Sequence, residues 1–345
     1  MALLFIDGFD HYDPQALDPF GDPWLARGKA DYLSPQATRI AGRRPSSYAL
    51  RLPAGPGGGY VKNLSAGVNN LIVGAAVRVA PFENATLMPV LLGVRKANGS
   101  VMTFVSLCED GRIGLYLNDQ RISKSNISAP VRGWHYIEMQ ASSSTGSIIV
   151  RVNGVLAIYQ TMVYALETGG PLLTAFLGAV PGAYCPVTVD VDDLYLADVG
   201  GPINSTFLGD VRVDALQVQG DGSLNQWTVE GASSAWAAVS DGNEATAIRA
   251  ATAGLRQTFD VAPLPAMSAP AIHGVQLTML ARKTDAGNGR VRGLVASGAQ
   301  TAVSADLVLQ EQLAWHTAMF EGNPNGNVQW TEAAFNAAEF GVESA

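Results

Sequence analysis

The feature that most constrains this chain is a period-two alternation of apolar and polar residues, repeated from end to end between turn dipeptides. In Ser147–Val152, residues Ile148, Val150 and Val152 share one face of an extended chain, and Ile149 and Arg151 share the other. Asn153-Gly154 then turns the chain into Val155–Gln160, the signature of a tight β-hairpin. Asn98-Gly99 separates Val90–Lys96 from 101–107, and Asp110-Gly111 leads into 113–117, which reads as a three-strand meander. Near the middle, Val187, Val189 and Val191 alternate with Thr188, Asp190 and Asp192. A strand is expected at 210–218, and strand patterns recur at 227–229, 235–239, 245–249, 255–261, 272–282, 291–297, 302–309 and 313–320. Helical character is confined to a short stretch, 331–338, with Thr331 as its N-cap. The stretch 14–24 is too rich in proline for a long helix.

So many short strands with so little helix predict an all-β protein. Its length of 345 residues suggests two domains. The polar, glycine-rich run 219–223 is the expected linker, giving domains 1–219 and 220–345, the second smaller. Charged residues make up only 15% of the chain and hydrophobic ones 48%, which excludes a disordered chain. No apolar run approaches the ~20 residues that a membrane helix needs. The surface is therefore either unusually neutral or covered by partners.

A net charge of −8 gives no electrostatic reason to seek nucleic acid. The densest basic cluster, Arg39, Arg43, Arg44 and Arg51, reads as a solvated loop. Cys108 and Cys185 have no metal-binding spacing and read as buried free thiols, although a disulfide between them stays open. The first ten residues lack a basic region and a long apolar run, so no signal peptide is expected and the chain stays in the cytoplasm that makes it, or leaves by lysis.

Four stretches occur in a recognisable order: Leu-Leu-Phe-Ile-Asp-Gly-Phe-Asp (3–10), Gly-Trp-His-Tyr-Ile-Glu-Met (133–139), Ile-Ile-Val-Arg-Val-Asn-Gly-Val (148–155) and Val-Asp-Asp-Leu-Tyr-Leu (191–196). Together they resemble the concanavalin A-like, or laminin-G-like, jelly roll of tailed-bacteriophage virion proteins. The run Asn-Ser-Thr-Phe-Leu-Gly-Asp-Val-Arg-Val (204–213) is similar to the segment that follows it in such proteins. The second half, with Ala-Arg-Lys-Thr-Asp-Ala-Gly (281–287) and Trp-Thr-Glu-Ala-Ala-Phe-Asn (330–336), is similar to an accompanying C-terminal β-domain. The resemblance implies an N-terminal jelly roll followed by a smaller β-sandwich, with the first strand and the Asp-Asp strand in one sheet.

Chemistry is sparse. Asp190 and Asp192 share a strand face, but no third carboxylate follows Asp193 to complete a glycan-hydrolase arrangement. No catalytic residue is therefore expected. A calcium ion would draw on Asp7, Asp10, Asp190 and Asp192 if the first and late strands are neighbours, but the sequence has no calcium-loop motif and no metal or other cofactor is expected. His11, His135, His273 and His316 lack zinc spacing. Gly55-Pro56-Gly57-Gly58-Gly59 has no lysine and reads as a flexible loop. Tyr12, Trp24 and Tyr60 are the aromatic residues a sugar ring would stack on.

The expected protein is thus a non-enzymatic phage virion component in a tail or tail fibre. It would assemble with itself and with other virion proteins, without nucleic acid or membrane insertion. The alternatives are an adhesin for host surface glycans and a capsid decoration protein.

Overall fold

The computed structural model describes residues 2–11, 29–81, 89–99, 101–118, 120–168, 170–243, 245–265 and 271–345. Two compact units divide the chain, Met1–Asp214 and Ala215–Ala345. The architecture is almost entirely β, as the alternation predicts.

Unit 1 begins with β1 (Leu3–Asp7), β2 (Tyr32–Leu33), β3 (Thr38–Ala41), β4 (Tyr48–Leu52), β5 (Gly55–Pro56), β6 (Gly59–Val68) and β7 (Asn70–Val79). The meander follows as β8 (Val90–Lys96), β9 (Met102–Leu107) and β10 (Arg112–Leu117), then β11 (Gln120–Ser128) and β12 (His135–Ser142). The hairpin β13 (Ser147–Val152) and β14 (Val155–Gln160) leads into a short helix α1 (Tyr164–Glu167). The unit's last strands are β15 (Leu172–Gly178), β16 (Tyr184–Cys185) and β17 (Val189–Ala197).

All of these strands except the separate pair β5–β16 form two facing sheets. One runs β14-β13-β12-β7-β17-β4-β3, with β1 also paired to β17; the other runs β11-β10-β9-β8-β15-β6-β2. Their inner faces share one apolar core that includes Phe5, Leu50, Val73, Val105, Met139, Val150, Leu177, Val191 and Leu196. The first strand and the Asp-Asp strand are direct antiparallel neighbours, with Phe5 opposite Leu196 and Asp7 opposite Leu194.

Behind the second sheet lies a smaller apolar cluster of Val61, Phe104, Tyr116, Phe176 and Val180, in which Phe104 and Tyr116 stack at 5.1 Å. Both cysteines are buried free thiols. The glycine-rich run 55–59 is not a loose loop: Gly55 and Pro56 pair with β16, and Gly58 and Gly59 are buried.

Unit 2 contains β18 (Val218–Asn225), β19 (Thr228–Glu230), α2 (Ala235–Ser240), β20 (Ala247–Arg249), β21 (Arg256–Val261) and β22 (Val275–Ala281). It continues with β23 (Arg290–Ser297), β24 (Gln300–Val303), β25 (Leu307–Val308), β26 (Ala314–Phe320), α3 (Glu332–Asn336) and β27 (Glu339–Ser344). A six-stranded sheet, β18-β21-β27-β23-β24 with β25 on β23, accompanies the ribbon β22–β26. The core between them holds Leu277, Val295, Ala318, Phe320, Trp330, Phe335 and Phe340. Thr331 caps α3 as expected, accepting from the Ala334 amide.

Three further expectations fail. The run 219–223 is no linker, because it lies inside β18. Residues 235–239 form a helix rather than a strand, since the Ser234 side chain accepts from the Ala237 amide and starts α2. Residues 210–217 form no strand: the Val213 amide donates to the Asp193 side chain, and the Val211 amide to the Gly209 carbonyl, in place of a ladder.

Candidate functional site

The acidic strand β17 carries the residues the sequence singled out. Val189, Val191, Leu194 and Leu196 all face the core, although their parity switches between 191 and 194. A bulge accounts for this: between Asp192 and Tyr195, β17 uses one residue more than its partner β7. Asp193 takes a left-handed backbone, φ 50°, which aspartate tolerates better than most side chains. Both Asp192 and Asp193 therefore turn away from the core, on the side already taken by Asp190.

Each of these acids is occupied. Asp190 lies between cross-strand neighbours Arg51 and Arg78. Arg51 donates from Nε to Oδ1 at 2.7 Å, and Arg78 from Nη2 to Oδ2 at 2.8 Å. Arg78 also stacks against Trp134 at 4.7 Å. Asp193 Oδ2 accepts from Arg43 Nε at 2.5 Å and from Arg44 Nη1 at 2.7 Å. Asp192 accepts from the Arg43 and Asp193 amides. Burial and the neighbouring Asp193 charge push the Asp192 carboxyl up to about 7. The arginine cluster expected to be solvated is thus the counter-charge of the acidic strand: Arg43, Arg44 and Arg51 all pair with it.

The same groups bind the segment 204–213 onto the outer face of the sheet. Asp193 Oδ1 accepts from the Val213 amide at 2.7 Å, and the Val211 carbonyl accepts from Arg43 and Arg44. Asp210 completes the arginine's set at 2.5 Å. Farther along, Tyr195 donates to Glu138 Oε1 at 2.5 Å, and the Gly209 amide donates to the same oxygen at 2.9 Å. Tyr195 reaches across because its strand neighbour is Gly74, where a Cβ would lie 2.1 Å from the ring. Gly8 performs a similar service, since a Cβ there would lie 2.1 Å from the Val213 carbonyl oxygen. The motifs 3–10, 191–196 and 204–213 are therefore three parts of one polar lock. Glu138 and Tyr195 are fully buried within it, out of a substrate's reach.

Asp7 sits apart from these acids. Its cross-strand partner Leu194 faces the core, and so does Asp7, whose Oδ2 accepts from the Tyr60 hydroxyl at 3.0 Å. Its Oδ1 accepts from the Phe9 amide at 3.1 Å, which holds the turn after β1. Asp10 accepts from the Tyr48 amide at 2.6 Å. Asp7 and Asp190 point to opposite faces of the sheet, so the structure does not bring the four candidate calcium ligands together. Among the described residues no group of His, Cys, Asp or Glu has metal-binding geometry. Tyr60 is 0% exposed and offers no face to a sugar. Tyr12 and Trp24 lie outside the described residues. His135 is satisfied within its sheet, with Nε2 3.0 Å from the Pro130 carbonyl.

What the sequence missed is at the sheet edge. Strand β14 ends its sheet, and around it Val155, Leu156, Tyr159, Met162 and Tyr164 are 58–72% exposed. A bulge between Val150 and Arg151 in the β13 pairing places Leu156 opposite Arg151 and Tyr159 opposite Ile149, both on the outer face. The available signal was the run 155–164, in which apolar residues occupy both parities with no charge among them.

No protein-family profile matches this chain, and no curated protein matches it. Solved structures with a similar β fold include the Trypanosoma rangeli sialidase, at 16% identity and TM-score 0.36, over 47% of this chain and 26% of the sialidase. An alginate lyase matches at 11% identity and TM-score 0.39, over 56% of this chain and 96% of the lyase. A carbohydrate-binding module of Bacillus subtilis matches at 8% identity and TM-score 0.29, over 47% of this chain and 95% of the module. The chain thus spans about a quarter of the sialidase's length. The expectation of a non-enzymatic protein is corrected by these neighbours, because enzymes stand among them and a missing catalytic motif does not exclude catalysis.

Proposed function

We propose that the chain is a structural protein of a tailed-bacteriophage virion, made in the host cytoplasm and present in several copies in the tail or tail fibre. The observation that carries this reading is the uncharged, apolar edge at β14, a surface suited to burial against another protein. The motif resemblance supports it too, because three of its unit-1 stretches, 3–10, 191–196 and 204–213, meet in one lock. Mass spectrometry of purified virions is the test. Peptides of this chain at a copy number above one are expected, and their absence would sink the reading.

A second reading is binding to a host surface glycan. Tyr164 and Tyr184 favour it, being 69% and 60% exposed, with rings a pyranose can stack on. A glycan array with and without calcium tests it: binding should fall in Tyr164→Ala or Tyr184→Ala. Silence of the wild-type protein on the array would remove the idea.

A further inference from the structure

We propose that two copies of this chain pair through β14, antiparallel and about a two-fold axis between Ala157 and Ile158, joining their sheets into one. The inference supplies the contact for the multi-copy assembly proposed above and rests on that reading.

The argument begins with how the sheet edges of unit 1 are finished. An exposed strand edge is a template for another strand, and proteins blunt it with charge, irregularity or brevity. Strand β3 is four residues long and carries Arg39, and β2 has only two residues. Strand β11 carries Arg121 and Lys124, and its pairing with β10 shifts register twice. Strand β14 has neither charge nor brevity to blunt it: it is six residues long, Val-Leu-Ala-Ile-Tyr-Gln, and contains no proline. Its one bulge lies in the pairing with β13. No described strand pairs with its other side.

The sequence of β14 suits a second copy of itself. In the proposed register Val155 opposes the partner's Gln160, and Leu156 opposes the partner's Tyr159. Leu156 and Tyr159 lie on the same outer face, 58% and 64% exposed, so the two-fold axis produces two aliphatic–aromatic cross-strand pairs. Charge does not oppose the contact. The nearest charged side chain on that face, Arg151, lies one strand inward and stacks on Phe207 at 4.4 Å. Across the joined sheets the two copies of Arg151 would stand at least about 14 Å apart, three strand spacings. A contact of six residues per copy is small, so self-association should appear as concentration rises.

Sedimentation equilibrium of the full chain over a rising concentration series tests the proposal. The wild type should self-associate, and Leu156→Lys or Tyr159→Lys should weaken association by about tenfold or more. Val308→Lys, at an exposed position of unit 2, should leave it unchanged. Circular dichroism and thermal melts confirm that each variant folds. Register is read by oxidising a mixture of Leu156→Cys and Tyr159→Cys proteins, which should cross-link to each other faster than either does to itself. A wild type that associates with the lysine variants unaffected, or one that stays monomeric, overturns the pairing, and so does cross-linking without register preference. Virion mass spectrometry answers separately, so a chain found in virions whose association ignores β14 refutes this contact and keeps the structural role.

Discussion

Arg43 and Asp193, 150 positions apart, meet at 2.5 Å on the outer face of the β14–β3 sheet, and both are largely buried. The pair joins the loop after β3 to the bulge in β17 and, through Val211 and Val213, to the segment that leads out of unit 1.

Asp193→Asn should destabilise unit 1 by about 1–3 kcal/mol, because half-buried Arg43 and Arg44 lose their shared carboxylate while Arg43 keeps Asp210. Urea denaturation measures this. Hydrogen exchange at the Val213 amide should quicken by more than the loss of global stability explains.

Asp192 predicts a pH dependence. Its folded pKa is raised, to about 7, above the ordinary carboxylate value. The folded state therefore holds a proton that the unfolded state has released, and this group's contribution is fully present below about pH 4. It is lost as pH rises through 7. Asp192→Asn should remove that slope, so the stability difference between variant and wild type should change between pH 4 and pH 8 in thermal melts.

Gly8→Ala places a methyl group against the Val213 carbonyl oxygen, backbone against backbone, and the segment 204–213 has to shift. A loss of about 1–3 kcal/mol is expected from such overpacking. The same substitution at Gly154, where a Cβ would meet nothing, tests only its positive φ and should cost less.

Tyr60→Phe removes the donor to Asp7 Oδ2 in a fully buried site. A cost of about 1–3 kcal/mol follows from removing one donor to a buried oxygen. Any glycan binding should be unaffected, which separates a core tyrosine from a sugar platform.

The hairpin at 147–160 was legible to the residue, with strands Ser147–Val152 and Val155–Gln160 observed where alternation and Asn153-Gly154 place them. Its information is local: face alternation and a turn that tolerates positive φ, seen at both Asn153 and Gly154. The Asp190 and Asp192 side chains share a face, as read, but Asp193 joining them depends on a bulge that no local pattern announces. The helix at Ala235–Ser240 was missed because Ala-Trp-Ala-Ala-Val alternates as well as it winds, and a serine cap decided it.

The sequence by itself determined that this chain is all-β, where most of its strands lie and which face of each is apolar, because those properties repeat within a few residues. Only the tertiary structure decided what its charges do. Arg43, Arg44 and Arg51 look solvated beside one another, and Asp190 and Asp193 look free on their strand. An ion pair forms between groups brought close by sheet topology, and burial then makes it matter. The same physics exposed β14: its apolar residues are unremarkable in sequence, and they acquire meaning because the sheet ends there.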